Sequence, residues 1–315
     1  MEANNDSIKN DVSRVEAQMK DARASDMMKG KQNQHGDQDK KKGKNDKMLY
    51  AGIVVVFVIA GILYALFGTA QANTGVAAFD NVAVNSSVLS ELKSVAANMT
   101  LADEVGLGLV GSPPVGTGNV TPLVANGKPE ILYIGANYCP FCAVTRWGFT
   151  LALMRFGNFS SLHYMTSSAN DSYGSSPTFT FYNSSYSSSL IDFTSVELYE
   201  NVPCGYGCYV KLQNATGFED GLLNKYDSPT TSCSSGGCIP FIDFGNVSIQ
   251  DGAPVSPQFI YKQTWGAVIA NLTDINTYQS LAIIGTANIF TAQICKMTNN
   301  QPASVCDAQY IKRLA

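Results

Sequence analysis

The chain is 315 residues long, with 45% hydrophobic and 15% charged residues, eight cysteines and a formal net charge of −4 at pH 7. That length holds one or two domains, and a mildly acidic chain without a basic face to neutralise phosphates argues against a nucleic-acid partner. No phosphate-cradling loop, Ser/His/Asp constellation or paired-carboxylate site is present either, and no cofactor or metal is implied.

Residues 1–47 hold 11 Lys and Arg, 9 Asp and Glu, and no Cys, Trp, Phe or Tyr. So few apolar side chains do not offset the entropy of ordering, which predicts a disordered, lysine-rich tail. Ile8, Val12, Val15 and Met19 give a weak helical spacing, too short for a coiled coil. A transmembrane helix is predicted over 48–68, because "LYAGIVVVFVIAGILYALF", residues 49–67, carries no charge and suffices to cross a hydrocarbon core of about 30 Å. The lysine cluster over 40–47 precedes it, and the next basic residue is Lys93. The positive-inside rule then makes the N-terminus cytoplasmic and everything after the span extracytoplasmic, a single-pass protein of the cell membrane. "TAQAN", with Ala70 and Ala72, offers a competing signal-peptidase reading, but the long leader and the length of the apolar run favour an uncleaved anchor.

Beyond the span there are 10 basic and 16 acidic residues. Nine Asn-x-Ser/Thr sequons occur there, at Asn85, Asn98, Asn119, Asn158, Asn170, Asn183, Asn214, Asn246 and Asn271, which suggests a glycosylated surface. All eight cysteines, Cys139, Cys142, Cys204, Cys208, Cys233, Cys238, Cys295 and Cys306, are on this side. An even number in an oxidising compartment reads as disulfide chemistry.

Residues 69–127 read as a tether, with a helix opened by Ser caps at "SSVLSELKSVAANM" and a turn-rich linker at "GSPPVGTGN". An extracytoplasmic α/β domain follows over 128–315. "PEILYIGANY" reads as a buried strand and "PFCAVTRWGFTLALMRF" as a helix with proline at its start, its core face marked by Val144, Trp147, Leu151 and Met154. "SLHYMTSS" is expected as a second strand parallel to the first. Over 168–238 come a polar loop, a short strand "TFTFYN", a longer one "LIDFTSVELYEN", two close cysteine pairs and a helix near "LQNATGFEDGLLNKY". "CIPFIDFGNVSIQDG" reads as a hairpin turning at Gly245–Asn246, and "TWGAVIANL" and "INTYQSLAIIGTANIFTAQICKMT" read as closing helices.

The chemistry sits in "GANYCPFCAVTRWGF". Cys139 falls at the N-terminal end of the predicted helix, where unpaired N–H groups and the macrodipole favour an anion, so its thiolate is stabilised. Cys142, one turn on, is placed to attack a mixed disulfide formed at Cys139. That assigns Cys139 as nucleophile and Cys142 as resolving thiol. Half of a zinc site and a purely structural disulfide are competing readings; zinc lacks partners, since the other pairs are spaced C-x3-C and C-x4-C and the only outer histidine is His163.

Strand, C-x-x-C at a helix start and Ile239-Pro240 leading into "FIDFGN" together resemble the thioredoxin superfamily, over about residues 129–166 and 237–297. The resemblance implies a thioredoxin-like α/β fold with an insertion of roughly 70 residues over 168–238, and a cis bond before Pro240. It also implies a substrate groove that Pro240 shapes; Ile239, Tyr138 and Phe141 read as an apolar rim to such a groove or as plain packing. C-P-F-C is closest to glutaredoxins and some secreted disulfide oxidoreductases. Thioredoxins proper carry a buried Asp where Tyr133 stands here, and the His of strongly oxidising periplasmic enzymes is missing, so the resemblance does not fix the direction of electron flow. The whole plan is similar to a membrane-anchored thioredoxin-fold family of thermoacidophilic archaea that brings no biochemistry with it.

The expected function is thiol–disulfide exchange on secreted or membrane proteins, with thiol or disulfide protein substrates, a membrane redox partner and the bilayer as partners. A non-catalytic, disulfide-stabilised surface or envelope-assembly protein is the alternative. Cys295 and Cys306 are expected to clip the C-terminal tail. Cys204/Cys208 and Cys233/Cys238 close locally or cross-link to each other, and a relay through Cys233/Cys238 competes with a structural role. His163 reads as structural or as a proton shuttle, and Arg146 as facing solvent or snorkelling.

Overall fold

The computed structural model describes residues 79–118, 121–226 and 238–315. The tail over 1–47, the predicted span over 48–68, the start of the tether, Asn119 and Cys233 lie outside the described residues. Among the described residues no helix is long and apolar enough to cross a membrane.

In chain order the elements are α1 Ser86–Ala97, α2 Met99–Val105, β1 Val115–Gly116, β2 Val124–Ala125, β3 Lys128–Gly135, α3 Pro140–Phe156, β4 Asn158–Thr166, β5 Pro177–Ser187, β6 Asp192–Glu197, β7 Tyr199–Gly205, β8 Cys208–Lys211, α4 Gly217–Tyr226, β9 Phe241–Phe244, β10 Ser248–Asp251, α5 Trp265–Asn271, α6 Tyr278–Met297, α7 Ala303–Cys306 and α8 Gln309–Leu314. β3 is the centre of the main sheet. Its run from Ile131 to Gly135 is buried, as expected of a strand covered on both faces. β6 lies parallel along one side, with Tyr133 opposite Ser195. β9 lies antiparallel, with Tyr133 opposite Ile242, followed by β10 and then β1. The β9–β10 hairpin turns at Gly245 (φ 63°) and Asn246 (φ 59°), the left-handed pair that tight hairpins require.

Three expectations are corrected. β4 is not the parallel neighbour of β3; it pairs antiparallel with β5 in a separate two-stranded sheet. Alternation in "SLHYMTSS" announces a strand but not its partner, and this one is chosen by packing: Phe159 and Phe181 stack against each other while Trp147 of α3 meets Phe179 edge-on. The parallel place goes instead to β6, which lies within the stretch 168–238 read as an insertion. That stretch therefore contributes to the main sheet. Finally, the caps of α1 and the strand lengths differ: Asn85, not a serine, accepts the Val88 amide at 2.9 Å, β5 is the longer strand, and "LIDFTSVELYEN" divides at Leu198 into β6 and β7.

α3 is buried from Cys142 to Phe156 on all sides, so the spacing of Val144, Trp147, Leu151 and Met154 marks only one of its core faces. The sheet covers one side, where Phe149 sits among Tyr133, Phe181, Phe193, Phe244 and Phe290. α6 covers another. Gly148 permits that approach, since a Cβ there would lie 2.5 Å from Thr286. Arg155, also on α3, is buried with its guanidinium on Ala96 O (3.0 Å), Asn288 Oδ1 (3.0 Å) and Thr291 Oγ1 (2.7 Å), and burial brings its pKa down to about 10. At the C-terminal end of α3, Lys93 donates to the carbonyls of Met154 and Gly157, where a cation offsets the helix dipole.

Candidate active site

The C-terminal end of β3 delivers Cys139 to the N-terminus of α3, with Pro140 in the first turn, where its missing N–H costs nothing. Cys139 is itself the N-cap: its Sγ accepts the Cys142 amide at 3.2 Å. Its thiol also points to the carbonyl of Ile239, 3.9 Å away, and the Ile239–Pro240 bond is cis. Cys139 and Cys142 are buried free thiols. They cluster with Ala136, and Tyr138, Tyr199 and Ile239 pack against them. Phe141 is 41% exposed and meets Tyr173 edge-on. Pro240 is buried.

Burial pushes the Cys139 thiol up, but hydrogen bonds from the Cys142 thiol and amide, the Arg146 charge and the Phe141 amide outweigh it, and the net direction is down. Cys142 moves the opposite way, raised by burial, by its hydrogen bond to Cys139 and by the negative charges of Cys139 and Glu197. The two thiols are thus split into one that ionises early and one that stays protonated, the asymmetry that nucleophile and resolving group need.

Arg146 does not face solvent. One turn after Cys142, on the stretch of α3 that is buried all round, it is fully buried in a bidentate pair with Glu197 of β6. Nε meets Oε1 at 2.9 Å and Nη2 meets Oε2 at 2.6 Å. Nη2 also donates to Ala136 O at 2.8 Å. Burial opposes the Arg146 charge, and Glu197 more than restores it. The sequence signal for this pair is weak: an arginine one turn after Cys142, inside an otherwise apolar helix that carries a second arginine at its end. Tyr133 is fully buried, its hydroxyl has no hydrogen-bond partner among the described residues, and burial raises its pKa well above the usual phenol. It is therefore no base at neutral pH.

The remaining cysteines divide. Cys204–Cys208 and Cys295–Cys306 are disulfides with Cα separations of 5.1 and 5.7 Å; Cys238 is disulfide-bonded and precedes Ile239, beside the site. His163 lies in β4 opposite Thr180 and Ala83, outside the cysteine cluster. Among the described residues no His, Cys, Asp and Glu gather in a set able to hold a metal ion.

A family model described as a domain of unknown function (DUF929) matches residues 118–296. No curated protein and no solved structure matches the chain.

Proposed function

Because the chain belongs to the DUF929 family, whose description names no activity, its function has to come from its own site, and we propose that it is a membrane-anchored thiol–disulfide oxidoreductase. It acts outside the membrane on secreted or membrane proteins. The observation that carries this reading is Cys139 Sγ at the N-cap of α3, bonded to the Cys142 amide and faced by the segment of the cis Ile239–Pro240 bond. The Cys139 thiolate attacks one sulfur of a substrate disulfide and expels the other as thiolate. Cys142 then attacks Cys139 Sγ, releasing the reduced substrate and closing Cys139–Cys142. Run backwards, the same steps oxidise a dithiol.

The fold we assign is thioredoxin-like. Its support is the strand order β6–β3–β9–β10, with β6 parallel and β9 antiparallel to β3, and α3 and α6 packed together. Tyr138, Ile239 and the exposed Phe141 form the rim that receives an extended substrate segment beside Pro240. Residues 49–67 anchor the domain to the bilayer with the N-terminus cytoplasmic, and a membrane redox partner resets the pair.

The test is a redox titration of the full chain in detergent, with free thiols trapped by a mass tag and mapped. Cys139 and Cys142 are expected to titrate together between about −120 and −270 mV, the range of exchange catalysts. Resistance to reduction below about −300 mV, the behaviour of structural bridges, overturns the assignment in favour of a disulfide-stabilised scaffold.

A further inference from the structure

A second cysteine pair lies on an element tied to the first. The chain leaves β6 at Glu197 and runs directly into the β7–β8 hairpin, closed by the Cys204–Cys208 disulfide. The base of this hairpin is tied to the site. Asn137, two residues before Cys139, donates its amide to Tyr199 O at 2.8 Å, and Asn201 donates to Asp80 Oδ2 (2.7 Å) and Thr166 O (3.0 Å). Further out, the rings of Tyr138 and Tyr209 lie parallel, 4.0 Å apart and with an interplanar angle of 2°. Tyr138 is the neighbour of Cys139, and Tyr209 the neighbour of Cys208. Pro203, which precedes Cys204, is the cross-strand partner of Tyr209. Both cysteine pairs therefore flank one ring stack.

The two described disulfides differ in kind. Cys295 and Cys306 are 0% and 2% exposed and close a loop of sequence separation 11. Cys204 and Cys208 are both exposed and span a separation of only 4. So short a loop removes less chain entropy from the unfolded state, which weakens the structural reason for a bridge, and exposed bridges are the labile ones. The turn between them, Gly205-Tyr206-Gly207, has Gly207 at φ +65° with open space around it and a fully exposed Tyr206, so no packed neighbour at Gly207 blocks the tip.

We propose that the Cys204–Cys208 disulfide is the internal exchange partner of Cys139 and Cys142, carried to them by the hairpin and guided by the Tyr138–Tyr209 stack. This rests on the exchange reading of Cys139 and Cys142. Cys139 thiolate attacks Sγ of one hairpin cysteine; the new Cys139 bond forms, Cys204–Cys208 breaks, and the other hairpin cysteine leaves as thiolate. Cys142, as thiolate, then attacks Cys139 Sγ and expels the first hairpin cysteine. The two protons released by Cys139 and Cys142 are taken up by Cys204 and Cys208. One dithiol is oxidised by two electrons and one disulfide is reduced by two. The exposed tip then exchanges with an external thiol or disulfide.

The test uses the full chain in detergent and two variants. In Cys142→Ser the resolving step is blocked, and mass mapping is expected to find peptides joining Cys139 to Cys204 or Cys208. In Cys139→Ser/Cys142→Ser, reduction of Cys204–Cys208 by limiting dithiothreitol is expected to slow about tenfold, because direct attack replaces the internal nucleophile. If Cys142→Ser yields a Cys139–glutathione adduct with added glutathione disulfide but never a Cys139–hairpin peptide, the relay is overturned while the exchange reading stands. An unchanged reduction rate in the double variant also overturns it. If Cys139 forms no adduct at all, the exchange reading falls and the relay with it.

Discussion

Replacing Arg146 separates stability from thiol reactivity. The Arg146–Glu197 pair is fully buried and bidentate. In Arg146→Met the Glu197 carboxylate keeps, among the described residues, only the Phe181 amide, at 3.3 Å, and an uncompensated buried charge of this kind costs about 3–5 kcal/mol. In Arg146→Met/Glu197→Gln both charges go, and most of that loss is expected to return, since apolar or neutral replacement of a whole buried pair is close to neutral. The thiol behaves differently. Arg146 lowers the Cys139 pKa by its charge. Cys139 should therefore titrate at higher pH in both variants, and furthest up in Arg146→Met, where the Glu197 carboxylate is left uncompensated. Denaturant unfolding is readable through Trp147 and Trp265, both buried and bonded to backbone carbonyls at 2.8 and 2.6 Å, and the pH profile of iodoacetamide alkylation reads the thiol. A stability change below about 1 kcal/mol in Arg146→Met, within the range of exposed pairs, refutes the buried charge. Recovery of the low thiol pKa in the double variant refutes the assignment of that shift to Arg146.

Three further outcomes follow from buried groups. Asp243 is fully buried, its Oδ2 without a partner among the described residues, and burial pushes its pKa from 3.8 up to about 6. The native state then binds the extra proton across that window, so stability falls as pH rises through it, and Asp243→Asn should gain about 3 kcal/mol at pH 7 but little below pH 4, as thermal melts at both pH values will check. Tyr133→Phe removes an unpaired buried hydroxyl and should stabilise the protein by about 1–3 kcal/mol with the exchange rate unchanged; a slower rate would make Tyr133 part of the proton path. Cys295→Ser/Cys306→Ser opens a bridge of separation 11 and should cost about 3 kcal/mol of unfolding free energy without altering the alkylation profile of Cys139.

What sequence made legible follows from local physics. α3 runs from Pro140 to Phe156 as its motif predicts, because a proline in the first turn and a glycine after the last are local signals. The β9–β10 turn and the proline before β9 are local in the same sense. Pairing is not. β4 and β6 both read as strands, and only the aromatic packing under α3 decides which of them joins β3. Arg146 shows a second limit. Periodicity locates an apolar face, but a helix buried from Cys142 to Phe156 has no polar face to which its arginines can be sent. The partner of Arg146 then has to come from another element at a distance in sequence that no spacing rule supplies; here it is Glu197, 51 positions away. The choice of β6 as the parallel neighbour has a double effect at the site. Its last residue supplies the carboxylate that holds Arg146 beneath the two thiols. The chain that continues from it becomes the hairpin whose Tyr209 stacks on Tyr138. One strand pairing thus sets both the charge that lowers the Cys139 pKa and the hairpin that carries Cys204–Cys208, so a change that displaces β6 should disturb thiol pKa and the proposed hairpin exchange together.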